Sequence, residues 1–129
     1  MAGKSVLIVD DNPINLKLMK ILLDIEGYDV KMAVDAREVL AILETFQPEL
    51  IMMDLQLPGM DGLALTEKLK ADPRFKDIVI IAVTAYAMKG DEERALAAGC
   101  NGYLSKPINK ETMPAYIQSF FDVEKGSSR

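Results

Sequence analysis

The stretch Val6-Leu7-Ile8-Val9-Asp10-Asp11 places a run of apolar residues directly before a pair of carboxylates. In two later segments an apolar run likewise ends in a polar residue: Leu50-Ile51-Met52-Met53-Asp54 and Ile78-Val79-Ile80-Ile81-Ala82-Val83-Thr84. Continuous apolar runs of this length are typical of strands that are buried on both faces of a parallel sheet. Ligands bind outside the carboxyl ends of such strands. We therefore expect the polar residues that follow the runs to share one edge of the sheet.

Strand and helix signals alternate five times along the 129 residues. The predicted strands cover residues 5–9, 28–32, 50–53, 78–83 and 102–104. The predicted helices run from Asn12-Pro13 to Gly27, from Asp35 to Gln47-Pro48, from about 63 to Asp72-Pro73, from Lys89 to Ala98, and from Lys110 to Asp122. Five such units predict the α/β class, a three-layer sandwich with helices on both faces of a five-stranded parallel sheet. Periodicity alone does not determine the strand order, and the flavodoxin-like order 2-1-3-4-5 is one common solution.

The first predicted helix is apolar on two faces. The predicted core stripe consists of residues that recur at helical spacing: Ile14, Leu18, Ile21, Leu22 and Ile25. A second apolar set lies on another face: Leu16, Met19 and Leu23. Either burial against the last helix or docking of a partner's helical bundle would account for this second set.

Length and composition are typical of one globular domain, with 129 residues and 50% hydrophobic content. We expect the domain to span residues 1–125, with 126–129 as a disordered tail or cloning remnant. The net charge of −5 disfavours a nucleic-acid partner, and no apolar stretch is long enough to suggest a membrane partner. The single cysteine, Cys100, and the lack of a signal-peptide pattern predict a cytoplasmic location.

The polar residues predicted to converge carry complementary chemistry: Asp10, Asp11, Asp54, Thr84 and Lys106. Taken singly, each has a commoner role in a turn, a helix cap, a strand or the surface, so it is their joint order that favours a site. Clustered carboxylates need a compensating cation, and Mg²⁺ prefers oxygen ligands. An aspartate can attack phosphorus to form an aspartyl phosphate, and a lysine suits a phosphate oxygen. Because the chain has no histidine, any phosphohistidine would belong to a partner.

Four segments together resemble the receiver domain of two-component response regulators: Val6–Asp11, Met53–Gly62, Val83–Ala85 and Lys106–Pro107. The resemblance covers residue 4 to about residue 121. Within the family, the stretch from Ala85 to Arg94 looks most like a single-domain cell-cycle regulator.

The resemblance implies that Asp54 is the phosphoacceptor and that Mg²⁺ is bound by Asp10, Asp11, Asp54 and the backbone carbonyl of Gln56. Asp11 would be a direct ligand, whereas Asp10 would hold a metal-bound water or share the ligation.

The resemblance also implies a set of switch residues. Lys106 would bind the phosphoryl group, Thr84 would move to hydrogen-bond it, and Tyr103 would turn inward as an aromatic switch. The small Ala85 would leave access to the phosphoryl group open. The Lys106–Pro107 peptide bond is expected to be cis.

The implied function is that of a single-domain response regulator in a phosphorelay, rather than a metabolic enzyme. A histidine kinase or a histidine phosphotransfer protein would load Asp54, and the face of helix four, strand five and helix five would meet a downstream protein. The receiver would assist its own phosphorylation and dephosphorylation. The alternative is a receiver domain excised from a hybrid histidine kinase or a longer response regulator.

Two other functions are disfavoured. An Mg²⁺-dependent aspartyl-phosphate hydrolase usually carries a second Asp two positions after the nucleophile, and Gln56 stands there instead. A constitutive interaction module that has lost phosphorylation would not be expected to retain the whole site.

Overall fold

The computed structural model describes residues 4–57, 59–85 and 90–126. Five strands form one parallel sheet: β1 Ser5–Val9, β2 Asp29–Ala33, β3 Leu50–Asp54, β4 Val79–Thr84 and β5 Gly102–Ser105. Five helices follow them in turn: α1 Pro13–Ile25, α2 Ala36–Leu43, α3 Gly62–Lys70, α4 Asp91–Ala97 and α5 Met113–Gly126. The strands lie in the order β2-β1-β3-β4-β5, which confirms the flavodoxin-like solution.

Every predicted strand and helix is present, but several ends are shifted. Strands β2 and β4 each begin one residue later than predicted, and α2 ends at Leu43 instead of Gln47-Pro48. Helix α5 begins at Met113, so that Pro114 lies in its first turn, where the missing N–H costs no helical hydrogen bond. A short antiparallel pair that was not predicted, Gln56–Leu57 with Met60–Asp61, follows β3.

The ends of the last two helices touch the limits of the described residues. Helix α4 begins at Asp91, and its predicted start at Lys89 lies outside the described residues. Helix α5 continues to Gly126. The tail at 126–129 therefore stays a prediction, with 127–129 outside the described part of the chain. None of the helices within residues 4–57, 59–85 and 90–126 is long and apolar enough to cross a membrane.

The sheet has a core on each face because successive residues of a strand point in opposite directions. In β1, Leu7 and Val9 enter one core, whereas Val6 and Ile8 enter the other. The first core is closed by residues of α2, α3 and α4: Val39, Leu43, Leu65, Leu69 and Ala95. The second is closed by residues of α1 and α5: Leu16, Met19, Leu23, Met113, Ile117 and Phe121. These two cores confirm the three-layer sandwich.

Helix α1 buries the face opposite to the predicted core stripe. The buried residues are Leu16, Met19 and Leu23, which pack in the core shared with α5. Most of the predicted stripe is exposed to solvent: Ile14 by 76%, Leu18 by 37%, Ile21 by 47% and Ile25 by 74%. The predicted assignment of the core face was therefore wrong. Both faces carry apolar residues at helical spacing, so periodicity alone could not decide which face packs on the sheet.

A matched pair of truncations on α1 tests this assignment. Leu23→Ala removes a fully buried side chain and should lower the free energy of unfolding by about 2–5 kcal/mol, as core truncations do. Ile25→Ala, on the exposed face, should change the free energy of unfolding by less than about 0.5 kcal/mol. Urea denaturation of both variants measures the difference, and equal losses would contradict the assignment.

Candidate functional site

Three neighbouring strands deliver polar side chains to one edge of the sheet. The parallel register pairs Val9 with Met53 and Asp54 with Val83, so β1, β3 and β4 end side by side. This register brings Asp10, Asp54 and Thr84 to the same edge of the sheet, and all three are almost completely buried. Three of the predicted residues are therefore brought together by strand pairing alone.

Lys106 completes this group from the edge strand. Its backbone N–H donates to the carbonyl of Thr84 at 2.7 Å, which continues the pairing of β4 with β5 past Ser105. The Lys106–Pro107 peptide bond is cis, as expected. The Lys106 ammonium reaches back over the sheet, with Nζ 2.9 Å from Asp10 Oδ2 and 3.2 Å from Asp54 Oδ2. One cation thus pairs with two buried carboxylates.

The charges at this edge are unbalanced. Burial raises the pKa of the Asp54 carboxyl above its ordinary value, and the neighbouring charge of Asp10 raises it further, although the N–H of Gln56 and the ammonium of Lys106 act in the opposite direction. Burial lowers the pKa of Lys106, but the carboxylates of Asp10 and Asp54 outweigh that effect and the pKa is raised. The surroundings therefore favour the charged form of Lys106 and disfavour the charged form of Asp54.

Asp11 adds a third carboxylate on the solvent side. It is exposed, and Asp10, Asp11 and Asp54 each offer a carboxylate oxygen within 4.8 Å of the others. Among the residues that the structure describes, the candidate ligand atoms at this point are carboxylate oxygens, and three carboxylates face the ammonium of Lys106. This donor set fits a hard divalent cation, which takes carboxylate and carbonyl oxygens and tolerates waters in its remaining positions.

Backbone N–H groups orient the two buried carboxylates. Asp10 Oδ1 accepts from the N–H of Asn12 at 2.8 Å, and Asp54 Oδ1 accepts from the N–H of Gln56 at 2.9 Å. The side chain of Gln56 also contacts Thr84, with Nε2 3.1 Å and Oε1 3.3 Å from the threonine hydroxyl. Gln56 therefore touches the predicted phosphoacceptor through its backbone and the predicted switch hydroxyl through its side chain.

The two remaining predicted residues lie beside this polar group. Ala85 follows β4 directly and is exposed. Tyr103 is half-buried on β5, where its side chain packs against the core on the α4 side of the sheet. Its backbone N–H donates to the hydroxyl of Tyr116 at 3.0 Å. The Tyr116 hydroxyl lies against Gly102, where a Cβ would be only 2.6 Å from the hydroxyl oxygen.

Gly62 is a structural requirement that sequence reasoning did not recognise as part of the site. A Cβ at this position would lie 2.3 Å from the carbonyl oxygen of Asp54 and 2.8 Å from Cα of Leu55. The adjacent Asp61 caps the amino end of α3, with its side chain accepting from the N–H of Leu63 at 2.9 Å. In a sequence, an Asp-Gly pair by itself indicates only a turn. Its position just before a helix was the available clue to a close backbone approach.

A family model described as "Response regulator receiver domain" matches residues 6–118. The chain belongs to this family. Among its relatives, the polar-differentiation response regulator DivK of Brucella anthropi is 45% identical over 116 residues, which is 90% of this chain and 92% of that protein.

Solved receiver structures agree with this membership. A CheY-like receiver domain protein from Methanospirillum hungatei superimposes with a TM-score of 0.88 at 33% identity, covering 98% of this chain and 99% of the other. The receiver domain of sensor histidine kinase PA1611 from Pseudomonas aeruginosa gives a TM-score of 0.81 at 35% identity, covering 92% and 97% of the two chains. That second structure has a magnesium ion coordinated in its active-site cleft. The resemblance drawn from the sequence motifs is thus confirmed at the level of the receiver domain.

Proposed function

We propose that this receiver domain is a phosphorylation switch in which Asp54 accepts a phosphoryl group from a histidine kinase or a histidine phosphotransfer protein. The observation that carries the proposal is the buried pairing of Asp10 and Asp54 with Lys106, beside the exposed carboxylate of Asp11. A carboxylate nucleophile beside a fixed ammonium and further carboxylates that could hold a cation suits the role of a phosphoacceptor. This sequence contains no histidine, so the phosphohistidine that donates the phosphoryl group lies outside it.

In the proposed transfer, a carboxylate oxygen of Asp54 attacks the phosphorus of a partner's phosphohistidine. A P–O bond forms and the P–N bond breaks, with its electron pair returning to the imidazole nitrogen, which takes a proton from solvent. The N–H of Gln56 holds the Asp54 carboxylate in place, and Lys106 lies close enough to bind a phosphoryl oxygen. The same contacts would serve the later attack of water, so the chain would assist both its phosphorylation and its dephosphorylation.

Mg²⁺ is the proposed cofactor. The carboxylates of Asp10, Asp11 and Asp54 would hold it, with the backbone carbonyl of Gln56 as a further ligand. When bound, the ion supplies neutralisation of the charge on the transferring group. The cluster of three carboxylates around one ammonium supports this assignment, and so does the magnesium ion in the related receiver of PA1611.

The proposed output is a shift between two arrangements of the domain. An aspartyl phosphate presents new acceptor oxygens, which Thr84 and Lys106 would bind, while the small Ala85 would leave room beside them. The contact of Lys106 with Asp54 supports this assignment. Tyr103 would then turn inward, and the face of α4, β5 and α5 would meet a downstream protein. The phosphoryl group shifts the equilibrium only by as much as it interacts better with the active arrangement.

Two relatives suggest different answers to whether this receiver domain acts alone or as part of a longer protein. We propose a single-domain regulator, because the chain covers 92% of the length of DivK at 45% identity. A receiver that forms part of a longer protein is the alternative, since the PA1611 receiver belongs to a sensor histidine kinase and is 35% identical.

Labelling by a small-molecule phosphodonor tests the acceptor. Asp54→Asn should abolish incorporation from acetyl phosphate, because an amide oxygen does not attack phosphorus at a useful rate. Asp61→Asn is the matched control: it changes the exposed aspartate that caps α3, and asparagine caps a helix as well as aspartate does. The control should incorporate about one phosphoryl group per chain. Full labelling of Asp54→Asn would reject Asp54 as the acceptor.

Thermal unfolding tests the cation site. Mg²⁺ should raise Tm because it relieves repulsion among three carboxylates. At a concentration ten times its Kd, the gain is about 1.4 kcal/mol, or about 5 °C for a domain of this size. Asp11→Asn should lose most of this shift. Asp29→Asn changes an exposed aspartate at the amino end of β2 and should keep it. An equal shift in all three proteins would count against the site.

The exposed apolar stripe of α1 is the proposed docking surface for the phosphodonor. It consists of four residues on the face turned away from the sheet: Ile14, Leu18, Ile21 and Ile25. The stripe begins three positions after Asp11, at the same end of the helix as the site. A donor that delivers a histidine to Asp54 must cover this end of the sheet. An amphipathic helix or a helical bundle is a suitable partner for an apolar stripe beside a polar site.

Phosphotransfer kinetics test the docking surface. Ile14→Ser should slow transfer from a cognate histidine-phosphorylated donor by about tenfold, since loss of a buried aliphatic contact weakens binding by about 1.5 kcal/mol. Leu96→Ser removes a leucine that is 49% exposed on α4, across the sheet from α1, and should leave the rate of transfer unchanged. A similar loss with acetyl phosphate as donor would place the Ile14→Ser defect in the chemistry rather than in docking.

A further inference from the structure

We infer that the side chain of Gln56 is a positioning residue that restrains the hydroxyl of Thr84 and thereby opposes the switch. The inference rests on the proposed function and concerns the regulation of the same site. Its basis is the pair of contacts between the Gln56 carboxamide and Thr84 Oγ1, with Nε2 at 3.1 Å and Oε1 at 3.3 Å. Both polar atoms of the carboxamide therefore converge on the one hydroxyl that would have to rearrange.

The restraint has a fixed base. Gln56 pairs with Asp61 in the short antiparallel segment after β3, and its N–H donates to Asp54 Oδ1 at 2.9 Å. The backbone of Gln56 is thus held to the phosphoacceptor, and only its side chain extends to Thr84. A change of the side chain leaves the N–H and the carbonyl of residue 56 in place, so the restraint can be altered without removing the backbone contacts.

Thr84 is also constrained by its burial and by a hydrogen bond of its backbone. It is fully buried at the end of β4, and its carbonyl accepts from the N–H of Lys106 at 2.7 Å. Its backbone is therefore fixed on the β5 side, so a move of the hydroxyl toward a phosphoryl group must come from its side chain and the segment that follows. A threonine hydroxyl carries one proton, and a proton donated to Gln56 Oε1 is not available to a phosphoryl oxygen.

The consequence is a bias in the resting population. Any arrangement in which Thr84 binds the phosphoryl group must weaken its contacts with Gln56, so these contacts favour the inactive state. A neutral hydrogen bond contributes enough to change such an equilibrium by about two- to tenfold. Gln56 would thus set how readily the domain responds, acting through Thr84 rather than on the phosphoryl group itself.

A double-mutant cycle tests this role. The four proteins are the wild type, Gln56→Met, Thr84→Val and the combination, and the probe is beryllium fluoride in the presence of Mg²⁺, which mimics an aspartyl phosphate. Isothermal titration calorimetry gives the dissociation constant of each protein. Gln56→Met keeps the length of the side chain but removes its polar atoms, and it should tighten binding by about two- to tenfold. In the Thr84→Val background the same change should have no effect, because the restrained hydroxyl is absent.

Two controls keep the cycle interpretable. Gln47→Met makes the same substitution at an exposed glutamine outside the site and should leave the dissociation constant unchanged. If Thr84→Val does not fold, as judged by its thermal transition, Thr84→Ala replaces it as the variant without a hydroxyl.

The possible results distinguish a failure of this inference from a failure of the proposed function. Weaker or unchanged binding in Gln56→Met, or equal tightening in both Thr84 backgrounds, would overturn the role of Gln56 while leaving Asp54 as the acceptor. A wild-type protein that does not bind beryllium fluoride with Mg²⁺ would overturn the proposed function, and this inference with it.

Discussion

The ion pairs of Lys106 with Asp10 and Asp54 are the constraint around which the carboxyl edge of the sheet is arranged. Two buried carboxylates would be strongly destabilising without a partner, because burial penalises their charged form. The ammonium lies 2.9 Å from one and 3.2 Å from the other, so it is shared. The backbone N–H groups of Asn12 and Gln56 also donate to the two carboxylates. The strand register and the turns after the strands are therefore tied to a single cation.

The same arrangement leaves the site responsive. Among the described residues, one ammonium faces three carboxylates. Burial raises the pKa of Asp54, and the neighbouring charge of Asp10 raises it further. A site with balanced charges would gain little from a bound cation. The positions of Lys106 and Thr84, the two residues proposed to bind a phosphoryl group, are coupled by the hydrogen bond between their backbones. The proposed response to a cation thus follows from an incomplete electrostatic match within a rigid frame.

The site could be predicted from sequence to the extent that topology determines it. The apolar runs that end in Asp54 and Thr84 predicted that these two side chains lie close together, because parallel strands end at a common edge. The face of α1 could not be predicted in this way. Leu23 and Ile25 belong to equally apolar stripes, and only the packing of the helix on the sheet distinguishes the buried residue from the exposed one. Gly62 was missed for a related reason, since its role depends on a backbone approach of α3 to β3 that no periodicity encodes.

The environment of Tyr103 indicates how the proposed switch could act without disturbing the sheet. Its backbone N–H, on the outer edge of β5, is bound by the hydroxyl of Tyr116, and the absent side chain of Gly102 makes room for that ring. The edge of β5 is therefore anchored to α5, whereas the Tyr103 side chain is only half-buried on the α4 side. A tyrosine with an anchored backbone can change state by rotation of its side chain alone. The strand can thus keep its register, and with it the geometry of Lys106, during the change proposed for the output surface between α4 and α5.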